Sequence, residues 1–195
     1  ENLKKYCYRY GYLKISGILM DLGMSSFALD NPERGFAYDL NGPLDMRFSR
    51  EQEKTAQDFL NNAEAEELRK VFKEYGEVRR PSAIIKGILE YRKNKKIEKT
   101  AELKQIIERR TPYKLRKKIL SQVFQAIRIK VNRELEVLKS ALKQAIEVLE
   151  PGGRLVTISY HSLEDRIVKH FFKNKAKRCI CHRNSLFASV IMNRR

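Results

Sequence analysis

The apolar residues of this chain change period along its length, and the changes divide it into segments. Ile18, Leu19 and Met20 form a short continuous apolar run between Gly17 and Gly23, the pattern of a buried strand in an α/β sheet. Upstream, Leu3, Tyr6 and Cys7 are at helical spacing and predict the last turns of a helix leading into that strand. From Glu51 to Thr111 the period is helical, with predicted helices at 52–60, 63–75, 82–93 and 100–110. Leu68, Val71, Phe72 and Tyr75 follow i, i+3, i+4, i+7, and Ile84, Ile85, Ile88 and Leu89 give the next stripe. Gly76 stops one helix, Pro81 opens the next and Thr100 is the predicted N-cap of the last. Residues 121–149 read as one long helix, its stripe running Phe124, Ile127, Val131, Leu135, Leu138, Leu142, Ile146 and Leu149. The turn Pro151-Gly152-Gly153 ends it, and 154–160 alternates as a strand. Strand, helix, strand predicts a crossover to a parallel pair with the first strand. Ser162 with Asp165 predicts a capping-box start for a final helix.

Between the first strand and the helical region lies a turn-rich loop from Ser25 to Phe48. Asn31-Pro32, Arg34-Gly35 and Asn41-Gly42-Pro43 alternate with Phe27, Leu29, Phe36, Tyr38, Leu44, Met46 and Phe48. So many large apolar side chains predict an ordered loop, and long ordered loops without regular structure are usually functional. The fold class is α/β, divided as follows: 1–50, part of the α/β domain with the loop; 51–118, an inserted all-helical subdomain; 119–195, a return to the α/β domain followed by a basic tail.

Charge changes the picture. Lys and Arg number 41 against 24 Asp and Glu, a net +17, which attracts polyanions with strong salt dependence. Two basic runs concentrate this charge: Arg92, Lys93, Lys95 and Lys96, then Arg109, Arg110, Lys114, Arg116, Lys117 and Lys118. They are candidate contacts to RNA phosphates, the alternative being solvated helix faces. No apolar run approaches the roughly 18–20 residues needed to span a bilayer, and residues 1–9 lack the apolar core of a secretory signal, so a cytoplasmic protein is expected. Cys179, Cys181 and His182 lack a second ligand pair at zinc-finger spacing, and no metal is assigned.

Candidate chemistry gathers at the end of the first strand. Ligands bind outside the carboxyl ends of strands in open α/β sheets, which places Asp21 and the following Ser25-Ser26 pair at a crevice. Arg128 and Asn132 lie four apart on one helix face, and His161 follows the second strand. The stretch 17–48 resembles the signature of the RsmH (MraW) family. Three further segments match in order: Phe124 to Ile129 with Val131-Asn132, Pro151 to Leu155, and His161 to Lys169.

That resemblance implies a Rossmann-like methyltransferase sheet, here partial, and N4-methylation of a cytidine in small-subunit ribosomal RNA with S-adenosylmethionine. The partner implied is small-subunit ribosomal RNA or the ribosomal subunit, with no membrane. Asp21, Ser25 and Ser26 become the candidate catalytic residues. Asp21 and the position of Ala28, where the family has Gln, are candidates for cofactor contact. Asp45, Arg47, Arg128, Asn132, His161 and Glu164 are candidates for shaping the substrate pocket. No G-x-G-x-x-G is present, and the family pattern leads us to expect the glycine-rich cofactor loop in an N-terminal section before residue 1. The chain is thus expected to be the substrate-side portion of the enzyme. The alternative is a non-catalytic RNA-binding fragment or truncated paralogue that has lost the cofactor site.

Overall fold

The computed structural model describes residues 2–12, 14–178 and 188–192. The chain is mixed α/β and folds as two compact units, one formed by 1–23 with 134–195 and the other by 24–133.

The first unit is built on a parallel sheet of order β1-β2-β3. Its strands are β1 (Ile15–Asp21), β2 (Leu149–Ser159) and β3 (Ala188–Met192). The predicted crossover pairing of the two apolar runs is present, with Gly17 beside Arg154 and Asp21 beside Ile158. The strand register slips between Ile15 and Gly17, opposite Pro151-Gly152-Gly153, where the extra residues of β2 must bulge. Helices α1 (Leu3–Arg9), α8 (Glu134–Val148) and α9 (Ser162–Arg178) belong to this unit. Leu138, Leu142, Ala145, Leu155 and Val168 form its buried core, with Ile18 and Met20 packed against it. β1 is only half covered: Leu19 is 66% exposed. Cys179, Cys181 and His182 lie outside the described residues.

The second unit contains α2 (Ser26–Asp30), α3 (Ala56–Asn62), α4 (Ala65–Glu74), α5 (Ser82–Asn94), α6 (Thr100–Arg109) and α7 (Arg116–Asn132). Its core draws Leu68, Val71 and Phe72 from α4, Ile84, Ile85 and Ile88 from α5, and Val123, Phe124 and Ile127 from α7. Loop residues Phe36, Leu44 and Met46 are buried in the same core. This is why the division falls near residues 23 and 133 rather than the expected 50 and 118: the loop's apolar side chains bury with the helices.

Two local expectations change. The long helix predicted over 121–149 is two helices, broken at Arg133, which adopts a left-handed conformation (φ 51°). A non-glycine residue there pays a steric cost, and the break makes α7 and α8 members of different units. Thr100 does not cap α6. It is fully buried, its hydroxyl donating to the Leu40 carbonyl (2.6 Å) and accepting from the Gly42 N–H (3.0 Å). The cap comes from Glu102, whose carboxylate accepts the N–H groups of Glu98 (2.8 Å) and Lys99 (3.0 Å). Burial pushes the Glu102 carboxyl up, but bonds from Lys95, from those two N–H groups and from Tyr91 outweigh it and hold the pKa at about 2.

Candidate functional site

The parallel pairing of β1 and β2 brings their carboxyl ends together in the first unit. Asp21 closes β1 and is exposed. Tyr160, just past β2, donates its phenolic O–H to Asp21 Oδ1 at 3.0 Å. The Leu22 N–H donates to the Ile158 carbonyl at 3.0 Å, extending the ladder past Asp21. Gly23 (φ 100°) then turns the chain under the Tyr160 ring, where a Cβ would stand 2.8 Å from a ring carbon. Only glycine accepts both the positive φ and that approach. The result is a carboxylate with one oxygen oriented by a phenol and a tightly packed turn beneath it. Sequence reasoning missed Tyr160. The signal lay in strand pairing, which places residue 160 just beyond the partner of Asp21.

His161 and Glu164 follow on the same edge. The Glu164 carboxylate is 4% exposed and accepts the N–H of Tyr160 (3.0 Å) and of His161 (3.4 Å). In return the Glu164 N–H donates to His161 Nδ1 (3.4 Å), and His161 Nε2 faces Glu164 Oε1 at 3.3 Å. This is a reciprocal cap at the start of α9, one residue before the Ser162 and Asp165 box expected. Among the described residues, Glu134, His161 and Glu164 are the one group of metal-ligand type drawn together, their ligand atoms within 4.8 Å of one another. Helix capping accounts for the positions of His161 and Glu164.

The remaining candidates fall in the second unit. Ser25 is the N-cap of α2, without a side-chain cap bond, and Ser26 is the helix's first residue. Ala28 is half-buried against the helical core, so it presents a methyl where the family pattern has an amide. Asp45 and Arg47 pair with each other, Nε to Oδ1 at 2.7 Å and Nη2 to Oδ2 at 2.9 Å. Burial raises the Asp45 carboxyl, and the Arg47 bonds and charge reverse this and hold it below its ordinary value. Arg47 also reaches the Gln52 carbonyl. Asn132 is buried: its amide donates to the carbonyls of Met46 (2.7 Å) and Arg128 (2.9 Å), and its oxygen accepts the Phe48 N–H (2.6 Å). Asp45, Arg47 and Asn132 therefore brace the 25–48 loop. Gly35 (φ 68°) completes the brace, since a Cβ there would collide with the Pro43 carbonyl. Beside this loop lies a recess of about 330 Å³ lined by Phe36, Tyr38, Phe124, Gln125 and Arg128 among others.

The basic runs divide as well. Arg92 is clamped to the carbonyls of Leu60 (3.0 Å) and Ala63 (2.8 Å). Arg110 pairs with Glu90, and Lys95 with Glu102. Lys93, Lys96, Arg109, Lys114, Lys117 and Lys118 are exposed, and Arg116 lies over the Tyr113 ring, 5.4 Å from its centroid.

Comparison with known proteins decides the family. The pattern of the MraW methylase family matches residues 1–192. The chain belongs to that family. It is 48% identical over 183 residues to ribosomal RNA small subunit methyltransferase H of Carboxydothermus hydrogenoformans, covering 93% of this chain and 59% of that protein. Identity to the protein of the same name from Fusobacterium nucleatum is 49% over 181 residues, covering 93% and 58%. For Legionella pneumophila (strain Paris) it is 49% over 175 residues, covering 89% and 57%. The chain thus spans less than two thirds of the length of these MraW-family relatives. No helix among the described residues is long and apolar enough to cross a membrane.

Proposed function

We propose that the protein carrying this chain methylates small-subunit ribosomal RNA, with the exocyclic N4 amine of a cytidine as acceptor and S-adenosylmethionine as donor. The observation that carries the reading is the exposed Asp21 carboxylate, held by Tyr160 at the end of a parallel strand, in a chain of a methylase family whose relatives are named for small-subunit ribosomal RNA. The parallel sheet is read as part of a Rossmann-like methyltransferase sheet and residues 24–133 as a helical subdomain inserted into it. Its place of work is the cytoplasm.

When bound, S-adenosylmethionine supplies an electrophilic methyl group. Of the side chains put forward for cofactor contact, Asp21 has the chemistry to face a sulfonium, while Ala28 offers no hydrogen bond, so these residues fit only part of a cofactor cradle. The rest belongs, on this reading, to sequence outside the 195 residues. The amine of cytosine is a poor nucleophile because its lone pair is delocalised into the ring. A site must align it and accept its hydrogen bonds as positive charge develops. With Oδ1 of Asp21 engaged by Tyr160, Oδ2 is the atom that accepts an amine N–H. The target base must leave its stack to be read.

The test is methyl transfer by the whole protein to small ribosomal subunits lacking the modification, followed by nucleoside mass spectrometry. N4-methylcytidine is expected. Methylation at another nucleoside position would overturn the acceptor assignment, and RNA binding without any transfer would favour the non-catalytic reading.

A further inference from the structure

The linker before α7 carries a feature that the proposed chemistry does not use. Tyr113 sits in a 3-10 turn (Tyr113–Leu115) and is 82% exposed, the highest value among the large apolar side chains described. Such a ring gains by burial and is here left in water. One face carries the Arg116 guanidinium, 5.4 Å from the centroid, and Arg116 Nε donates to the Thr111 carbonyl (3.4 Å), which fixes the guanidinium beside the ring. Leu115 next to it is 48% exposed.

Charge around the ring is of one sign. From Arg109 to Arg133 the sequence contains no Asp or Glu. The first turn of α7 holds Arg116, Lys117 and Lys118 with no acidic residue, and no side chain caps its N-terminus. Cations at that end oppose the helix dipole, so the arrangement costs stability unless an anion sits near it.

We infer that Tyr113 and Arg116 form a stacking platform for one unpaired base of single-stranded RNA, with Lys117 and Lys118 holding the adjoining phosphate. A duplex keeps its bases stacked and presents only its backbone, so it would use the lysines and not the ring. The platform selects unpaired RNA, whereas phosphate contacts alone would not discriminate. The inference rests on the RNA-substrate reading and specifies where a nucleotide other than the methylated one is held.

The experiment measures binding of the whole protein to a single-stranded RNA dodecamer and to a hairpin duplex at two salt concentrations. Tyr113→Ala, Tyr113→Trp and the double variant Lys117→Glu/Lys118→Glu are compared with the unaltered protein. Tyr113→Ala should weaken the single strand about tenfold and the duplex by less than twofold. Tyr113→Trp should restore single-strand affinity, and the fluorescence it adds over the unaltered protein should be quenched by the single strand and not by the duplex. The lysine variant should weaken both. If Tyr113→Ala changes neither RNA while the lysine variant weakens both, the platform is wrong and the RNA-binding reading stands. Equal loss on both RNAs would also overturn it, showing that the ring only supports Arg116. If the unaltered protein binds neither RNA, both readings fall and the ring belongs to a protein contact.

Discussion

Asp21 and Asp45 lie in the same signature stretch, yet the fold treats them in opposite ways. Asp45 is half-buried, held by three bonds from Arg47, two from its guanidinium and one from its backbone N–H, and its partner reaches on to the Gln52 carbonyl. Asp21 is exposed, and its Oδ1 accepts the Tyr160 hydroxyl. A carboxylate surrounded by donors within its own loop stabilises that loop and has little left to offer a ligand. One at a strand end, oriented by a phenol, contributes little to the fold and keeps an oxygen for chemistry. The contrast separates residues that a family signature presents as equals.

The largest expected effect concerns Asp21. In the whole protein, Asp21→Asn keeps the side chain's size and removes a charge beside the developing positive charge, so turnover on small-subunit ribosomal RNA should fall by about two orders of magnitude. Stability should move by no more than about 1 kcal/mol. On the other side of the comparison, Asn132→Ala deletes two bonds that tie α7 to the loop and a third within the helix, and it takes their side-chain partner from the Met46 carbonyl and the Phe48 N–H. It should cost about 2–3 kcal/mol in denaturant unfolding. A loss below about 0.5 kcal/mol would mean that Asn132 does not brace the loop.

Acid should act on the second unit through Glu102. Its carboxyl titrates near 4.5 when unfolded and at about 2 when folded, so its stabilisation is complete above the first value and is lost as pH falls through the second. Unfolding midpoints measured across that window should decline, and Glu102→Gln should flatten the slope. Asp45 and Asp58, also lowered, act in the same direction and leave a residual slope. The smallest effect is expected at Tyr160. Tyr160→Phe keeps the ring over Gly23 and removes the hydroxyl that donates to Asp21, so turnover should fall about fivefold with KM nearly unchanged. An unchanged rate would show that Asp21 needs no orienting partner.

How far the sequence reveals this depends on the range of each interaction. Helices α4, α5 and α6 and the pairing of β1 with β2 are legible because local periodicity and crossover rules act over short spans. The break at Arg133 is not, since neither Gly nor Pro marks it. Thr100 reads as a cap because its type favours one, yet its hydroxyl is drawn to a loop some 60 residues away. The cap of α9 is displaced because His161 is an unusual N-cap residue. Asp21 and the 25–48 loop are recognisable from their motif, but the motif does not separate the bracing roles of Asp45, Arg47 and Asn132 from chemical ones. Tyr160 becomes visible only when the strands are paired.

On the proposed function, Asp21 does chemistry and Asp45 holds structure. That division is tested most directly by measuring thermal unfolding and the methyl-transfer rate per folded molecule on the same samples of Asp21→Asn and Asp45→Asn. A crossed result is expected: Asp21→Asn loses about a hundredfold in rate at nearly unchanged stability, and Asp45→Asn loses about 2 kcal/mol of stability with the rate held within about twofold. Loss of stability at Asp21 with the rate per folded molecule intact would contradict it.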